Sequence, residues 1–150
     1  MTQILIADDN EQNLYMLQVL LTGYGYQVVS ADNGAKALEI ALRDPPDMIV
    51  TDILMPVMDG FTLCREWKND ARLKTIPFVF YTATYTDPAD EAFALSLGAD
   101  RFILKPQEPE VLISILHEVL QRTCTVRETD SSPLGEEMEF FRQHNEVLFK

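Results

Sequence analysis

The sequence predicts an α/β domain: a doubly wound, five-stranded parallel sheet with helices on both faces and a helical extension at the C-terminus. Three observations predict it. Short apolar runs alternate five times with amphipathic segments over residues 1–122. The apolar runs are continuous, as in strands covered on both faces, instead of alternating with polar residues. Apolar residues make up 47% of the 150-residue chain, enough to fill a core on each side of a sheet. Crossovers between such parallel strands are right-handed.

Each element follows from its own residues. "QILIAD", residues 3–8, is the first strand. "NLYMLQVLLTGYG" comes next, with Leu14, Leu17 and Leu21 at helical spacing and Gly23 and Gly25 to stop it. "YQVVSA" (26–31) is the second strand, and "NGAKALEIALRD" the second helix, closed by Pro45 and Pro46. "DMIVTDI" (47–53) is the third strand. "DGFTLCREWKND" is the third helix, with Asp59 placed to cap its start. "PFVFYTA" (77–83) is the fourth strand. The fourth helix, "DPADEAFALSLG", has Asp87 as N-cap, Pro88 in the first turn and Gly98 past the end. "RFILK" (101–105) is the fifth strand, and "PEVLISILHEVLQR" the fifth helix, with Val111, Leu112, Ile115, Leu116 and Val119 on one face.

After Arg122 the composition turns polar. Residues 1–122 are therefore expected to form the domain, 123–134 a linker marked by Ser-Ser-Pro, and 135–150 a C-terminal helix. Leu134, Met138, Phe141, Asn145 and Leu148 are spaced 4, 3, 4 and 3, the seam of a coiled coil, with Asn145 where a buried polar residue fixes register. The pattern predicts that 135–149 is helical and mediates a parallel homodimer. An amphipathic helix folded back on its own domain is the competing reading.

Charge and cysteines narrow the function. A formal charge of -12 repels phosphate backbones and anionic membranes, so no direct nucleic-acid or membrane partner is expected, whereas a cation such as Mg²⁺ suits it. Cys64 and Cys124 are far apart and form no CxxC, which argues for a reduced, cytoplasmic setting. No stretch reaches the length of a membrane span.

In an open parallel sheet, ligands bind beyond the carboxyl ends of the strands. The first strand ends in Asp8 and Asp9, the third in Asp52, the fourth in Thr82, and the fifth in Lys105 followed by Pro106. Clustered carboxylates repel one another unless a cation intervenes. A divalent ion with oxygen ligands resolves that repulsion, Lys105 brings a mobile positive charge, and the Thr82 hydroxyl can bond a phosphoryl oxygen. The set suits phosphoryl transfer to a carboxylate. Taken singly, Asp8 and Asp9 read as helix caps and Asp52 as a turn residue.

"ADDN", "TDILMPVMDG", "YTA" and "LKP" together resemble, in order and spacing, the receiver domain of two-component response regulators over residues 1–122. The resemblance implies a flavodoxin-like sheet in the order 2-1-3-4-5. It makes Asp52 the phospho-acceptor, with Asp9, Asp52 and the Leu54 carbonyl on Mg²⁺ and Asp8 helping through water. Thr82 and Lys105 then contact the phosphoryl group, and Phe102 stands where the family has its aromatic switch residue. Lys105-Pro106 is the expected cis peptide. A sensor histidine kinase or phosphotransfer protein is the implied partner. The chain would be a single-domain regulator or the receiver part of a larger one, such as a hybrid kinase.

The leading expectation is a phosphorylatable switch and not a turnover enzyme. An aspartyl-phosphate phosphatase of similar fold would want an acid two residues after Asp52, where Leu54 stands. A module that binds without phosphorylation would not need the acidic set, Thr82 and Lys105. His117, among polar positions of its helix, reads as solvated.

Overall fold

The computed structural model describes residues 2–83 and 87–130. The expected tail helix 135–150, its dimer, and the remainder of the linker from 131 lie outside the described residues. So do Thr84 and Tyr85.

Five parallel strands form one sheet: β1 (Gln3–Ala7), β2 (Gln27–Ala31), β3 (Met48–Thr51), β4 (Phe78–Thr82) and β5 (Arg101–Leu104), in the order β2-β1-β3-β4-β5. This is the predicted flavodoxin-like arrangement. β1 lies between β2 and β3, so Ile4 pairs with both Val28 and Met48. The order in which successive strands are added reverses beside β1, which places the crevice of the sheet at the ends of β1 and β3.

The helices are α1 (Glu11–Gly23), α2 (Gly34–Arg43), α3 (Gly60–Asn69), α4 (Pro88–Ser96) and α5 (Pro109–Asp130). Successive strand residues point to opposite faces, so each apolar run supplies two cores. Leu5, Ile49, Phe78 and Phe80 pack with Ala37 and Ala41 of α2, Leu63, Cys64 and Trp67 of α3, and Ala94 of α4. Ile4, Ile6, Met48, Val50, Val79 and Ile103 pack with Leu21 of α1 and Leu112, Leu116 and Val119 of α5. Three helices therefore cover one face and two the other.

The helix starts follow capping chemistry. Asp59 Oδ1 accepts from Thr62 N at 2.8 Å and Asp87 Oδ1 from Ala89 N at 2.8 Å, as expected. α1 begins two residues earlier than "NLYM", at Glu11, because Asn10 caps it by accepting from Asn13 N at 3.0 Å. Neither Asp8 nor Asp9 is the cap, and both carboxylates are left for other work. Gly98 takes φ 109° after α4, in the left-handed region that favours glycine.

α5 runs on to Asp130, past Arg122, where the linker was expected to begin. "TCTVRETD" is polar but holds neither Gly nor Pro, so nothing in it breaks the helix. Among the described residues no helix is long and apolar enough to cross a membrane.

Candidate functional site

Four of the five strands deliver a polar residue at, or one position past, their ends. Asp8 follows β1, Asp52 follows β3, Thr82 closes β4 and Lys105 follows β5. Backbone bonds hold them in step. Asp8 N donates to Ala31 O at 3.2 Å, Asp52 N to Ala7 O at 2.9 Å, and Lys105 N to Thr82 O at 2.9 Å. Lys105-Pro106 is cis, as expected.

Lys105 Nζ lies 2.8 Å from Asp8 Oδ2 and 3.5 Å from Asp52 Oδ2. One ammonium thus bridges two carboxylates that are 44 positions apart in sequence. The ring of Tyr81 stands beside it, with Nζ 5.2 Å from the ring centroid. The other carboxylate oxygens are tied to the backbone. Asp8 Oδ1 accepts from Asn10 N at 2.9 Å, and Asp52 Oδ1 from Ile53 N at 2.7 Å. Asp8 and Thr82 are buried, at 6% and 0% exposure, and Asp52 is half-buried. Among the described residues every buried side-chain polar atom has a hydrogen-bond partner.

The loop after Asp52 is tightly built. Thr51 Oγ1 donates to Asp52 O at 2.8 Å. Met58 N donates to Pro56 O at 2.7 Å, closing a γ-turn around Val57, whose φ of 68° is strained for a β-branched residue. Gly60 N donates to Ile53 O at 2.7 Å. A Cβ on Gly60 would fall 2.4 Å from Asp52 O and 2.9 Å from Ile53 Cα, so only glycine lets α3 start this close to the acceptor strand.

Asp9 is exposed beside Asp8, and Leu54 is 49% exposed at the mouth. Phe102 is half-buried on the α2–α4 side of the sheet, its ring 6.3 Å from that of Phe80. Sequence reasoning overlooked Tyr81 and the bracing by Ile53 N. The alternation of β4 offered the one clue to Tyr81, because it sets that ring on the face opposite its neighbour Thr82.

Among the described residues no three His, Cys, Asp or Glu side chains are grouped closely enough to hold a metal by themselves. Asp8 and Asp52 already share one cation, however, and two carboxylates completed by a backbone carbonyl and water form the oxygen donor set of Mg²⁺. The residues fit such an ion.

Residues 4–117 match the family model described as response regulator receiver domain. Response regulator PleD of Caulobacter vibrioides is 41% identical over 112 residues, covering 75% of this chain and 24% of PleD. The chain thus spans about a quarter of that relative's length. The signal receiver domain of a signal transduction histidine kinase from Syntrophus aciditrophicus superposes with a TM-score of 0.75 at 38% identity, over 81% of this chain and 91% of that one. The receiver domain of a sensor histidine kinase from Pseudomonas aeruginosa, at 28% identity and a TM-score of 0.74 over 80% of this chain and 98% of its own, holds a magnesium ion coordinated in its active-site cleft.

Proposed function

The chain belongs to the response regulator receiver family of two-component signalling, and from that premise we propose that it is a switch phosphorylated on Asp52 by a partner's phosphohistidine. The observation that carries this reading is the ammonium of Lys105 held between Asp8 and Asp52 at the carboxyl edge of the sheet.

Asp52 Oδ2, the oxygen facing Lys105, attacks phosphorus. The P–N bond breaks, and its electrons return to the imidazole, which takes up a proton. Lys105 moves from the carboxylates to the new phosphoryl oxygens, whose negative charge it partly balances. Thr82, at the end of β4, turns its hydroxyl towards the phosphoryl group, and Phe102 on β5 moves with it, altering the α4–β5 surface. Asp8, Asp9, Asp52 and the Leu54 carbonyl are the groups that would hold Mg²⁺, which when bound neutralises charge between carboxylates and phosphoryl oxygens.

The domain is a conformational switch and not a turnover enzyme. It works in the cytoplasm with a sensor histidine kinase or phosphotransfer protein, and it does not bind nucleic acid itself. Leu54 supports this over a phosphatase, since it offers no acid two residues after Asp52.

The test is acetyl phosphate with Mg²⁺, read as an added phosphoryl mass, alongside beryllofluoride read by amide NMR. The wild type gains the mass and shifts its spectrum. Asp52→Asn does neither, because an amide is no nucleophile here and removes a charge from the site. A wild type that takes no phosphoryl group, or an Asp52→Asn protein that still responds to beryllofluoride, would overturn the reading.

A further inference from the structure

We propose that Tyr81 is a positioning residue for Lys105, its ring face holding the ammonium against Asp8 and Asp52 in readiness for the phosphoryl group. The functional part of this inference rests on the reading of Asp52 as acceptor.

Lys105 carries its charge on a flexible four-carbon stem, so its backbone bond to Thr82 does not fix where the ammonium lies. The two carboxylates draw Nζ from one side. On another side lies a groove of about 460 Å³, bordered by Asp8, Asn13, Met16, Leu17, Tyr81 and Pro106. An ammonium released into that groove would gain water and leave the acidic pair unbalanced. Tyr81 stands between these two fates. It packs with the α1 and α5 side of the core, and its ring centroid lies 5.2 Å from Nζ. A ring face attracts a cation by its quadrupole, most strongly where water is scarce, and the Lys105 side chain is only 17% exposed. The strand makes the placement possible. Tyr81 pairs with Ile103 and Thr82 with Leu104, so adjacent residues of β4 flank the start of the lysine from opposite faces of the sheet.

The experiment uses the full 150-residue chain. Lysines are labelled at the ε-carbon, and the Lys105 signal is identified by its loss in Lys105→Ala. The ring shifts the Lys105 ε-CH₂ protons upfield in the wild type. Tyr81→Leu loses the shift and is phosphorylated by acetyl phosphate about threefold to tenfold more slowly, the size expected of one cation–π contact. Tyr81→Phe, which keeps the ring and removes the hydroxyl, rescues both. Tyr81→Met replaces the leucine variant if that protein does not fold. A wild type with no upfield shift, a folded leucine variant with wild-type rate, or a phenylalanine variant as slow as the leucine one would each overturn the proposal. If the wild type takes no phosphoryl group at all, the reading of Asp52 fails separately, and the ε-CH₂ shift still decides whether the ring holds the lysine.

Discussion

Lys105 competes with any metal for the same two carboxylates. Its Nζ sits 2.8 Å from Asp8 and 3.5 Å from Asp52, so a divalent ion entering the site meets a like charge already in place. Lys105→Ala should therefore bind Mg²⁺ at least about fivefold more tightly, because a positive charge next to the two largely buried carboxylates is removed. Its amide spectrum should respond weakly to beryllofluoride beyond the site itself. Calorimetric titration checks the first effect and NMR the second, and a weaker Mg²⁺ affinity in a folded variant counts against the placement. The site was readable at this scale because each of its charges directly follows a buried apolar run, where no helix surface explains it. The Lys105 ammonium meets the carboxylates of Asp8 and Asp52, and Thr82 closes the strand beside Lys105. The hydrogen bonds that brace the carboxylates were not readable. They come from Asn10 N and Ile53 N, and every non-proline residue has such a group, so residue type carries no signal.

At the scale of elements, α3 shows how a helix serves the site from behind. Its first residue, Gly60, touches the Asp52 carbonyl, and Gly60→Ala should push that strand end aside. The expected cost is about 1–3 kcal/mol in urea unfolding, as for an overpacked core, together with slower phosphorylation. Unchanged stability would mean that the loop yields freely. Further along the same helix, Cys64 is fully buried, and burial pushes its thiol up to about 11 from 9.0. The folded state disfavours the thiolate, so this thiol supports folding fully below pH 9. That support is lost as pH rises from 9 through about 11. Unfolding curves at pH 8, 9.5 and 10.5 should fall less steeply for Cys64→Ala than for the wild type, after allowing for the constant cost of the cavity. Tyr26 also has a raised pKa from burial and remains in both proteins, so it cancels in the comparison. The elements were legible in type and order because apolar period separates strands from helices. Their ends were less so. α1 starts on an Asn10 cap that the neighbouring aspartates mimic in composition, and α5 continues through polar residues that contain no breaker.

At the scale of the whole molecule, the C-terminal helix matters most. α5 carries on to Asp130, and the sequence that follows has the 4-3 spacing that predicts a parallel dimer over 135–149. Light scattering on the full chain and on residues 1–122 should give a dimer and a monomer respectively. Two monomers at high concentration, with and without beryllofluoride, would end the dimer hypothesis. The strand order itself was legible only through the family resemblance. Apolar runs reveal which segments are strands, but not that β1 belongs in the middle.

The ion pair between Asp8 and Lys105 spans 97 positions of sequence. A chain emerging from the ribosome presents Asp8 first and Asp52 midway, yet it lacks its balancing ammonium until β5 has been made and has docked. Domains fold as units during synthesis, so a partial chain carries two acids with neither their partner ammonium nor the finished sheet that gathers them. Competence to receive a signal therefore arrives last and all at once. A prematurely terminated product ending before residue 105 would lack that ammonium and, with it, the completed site.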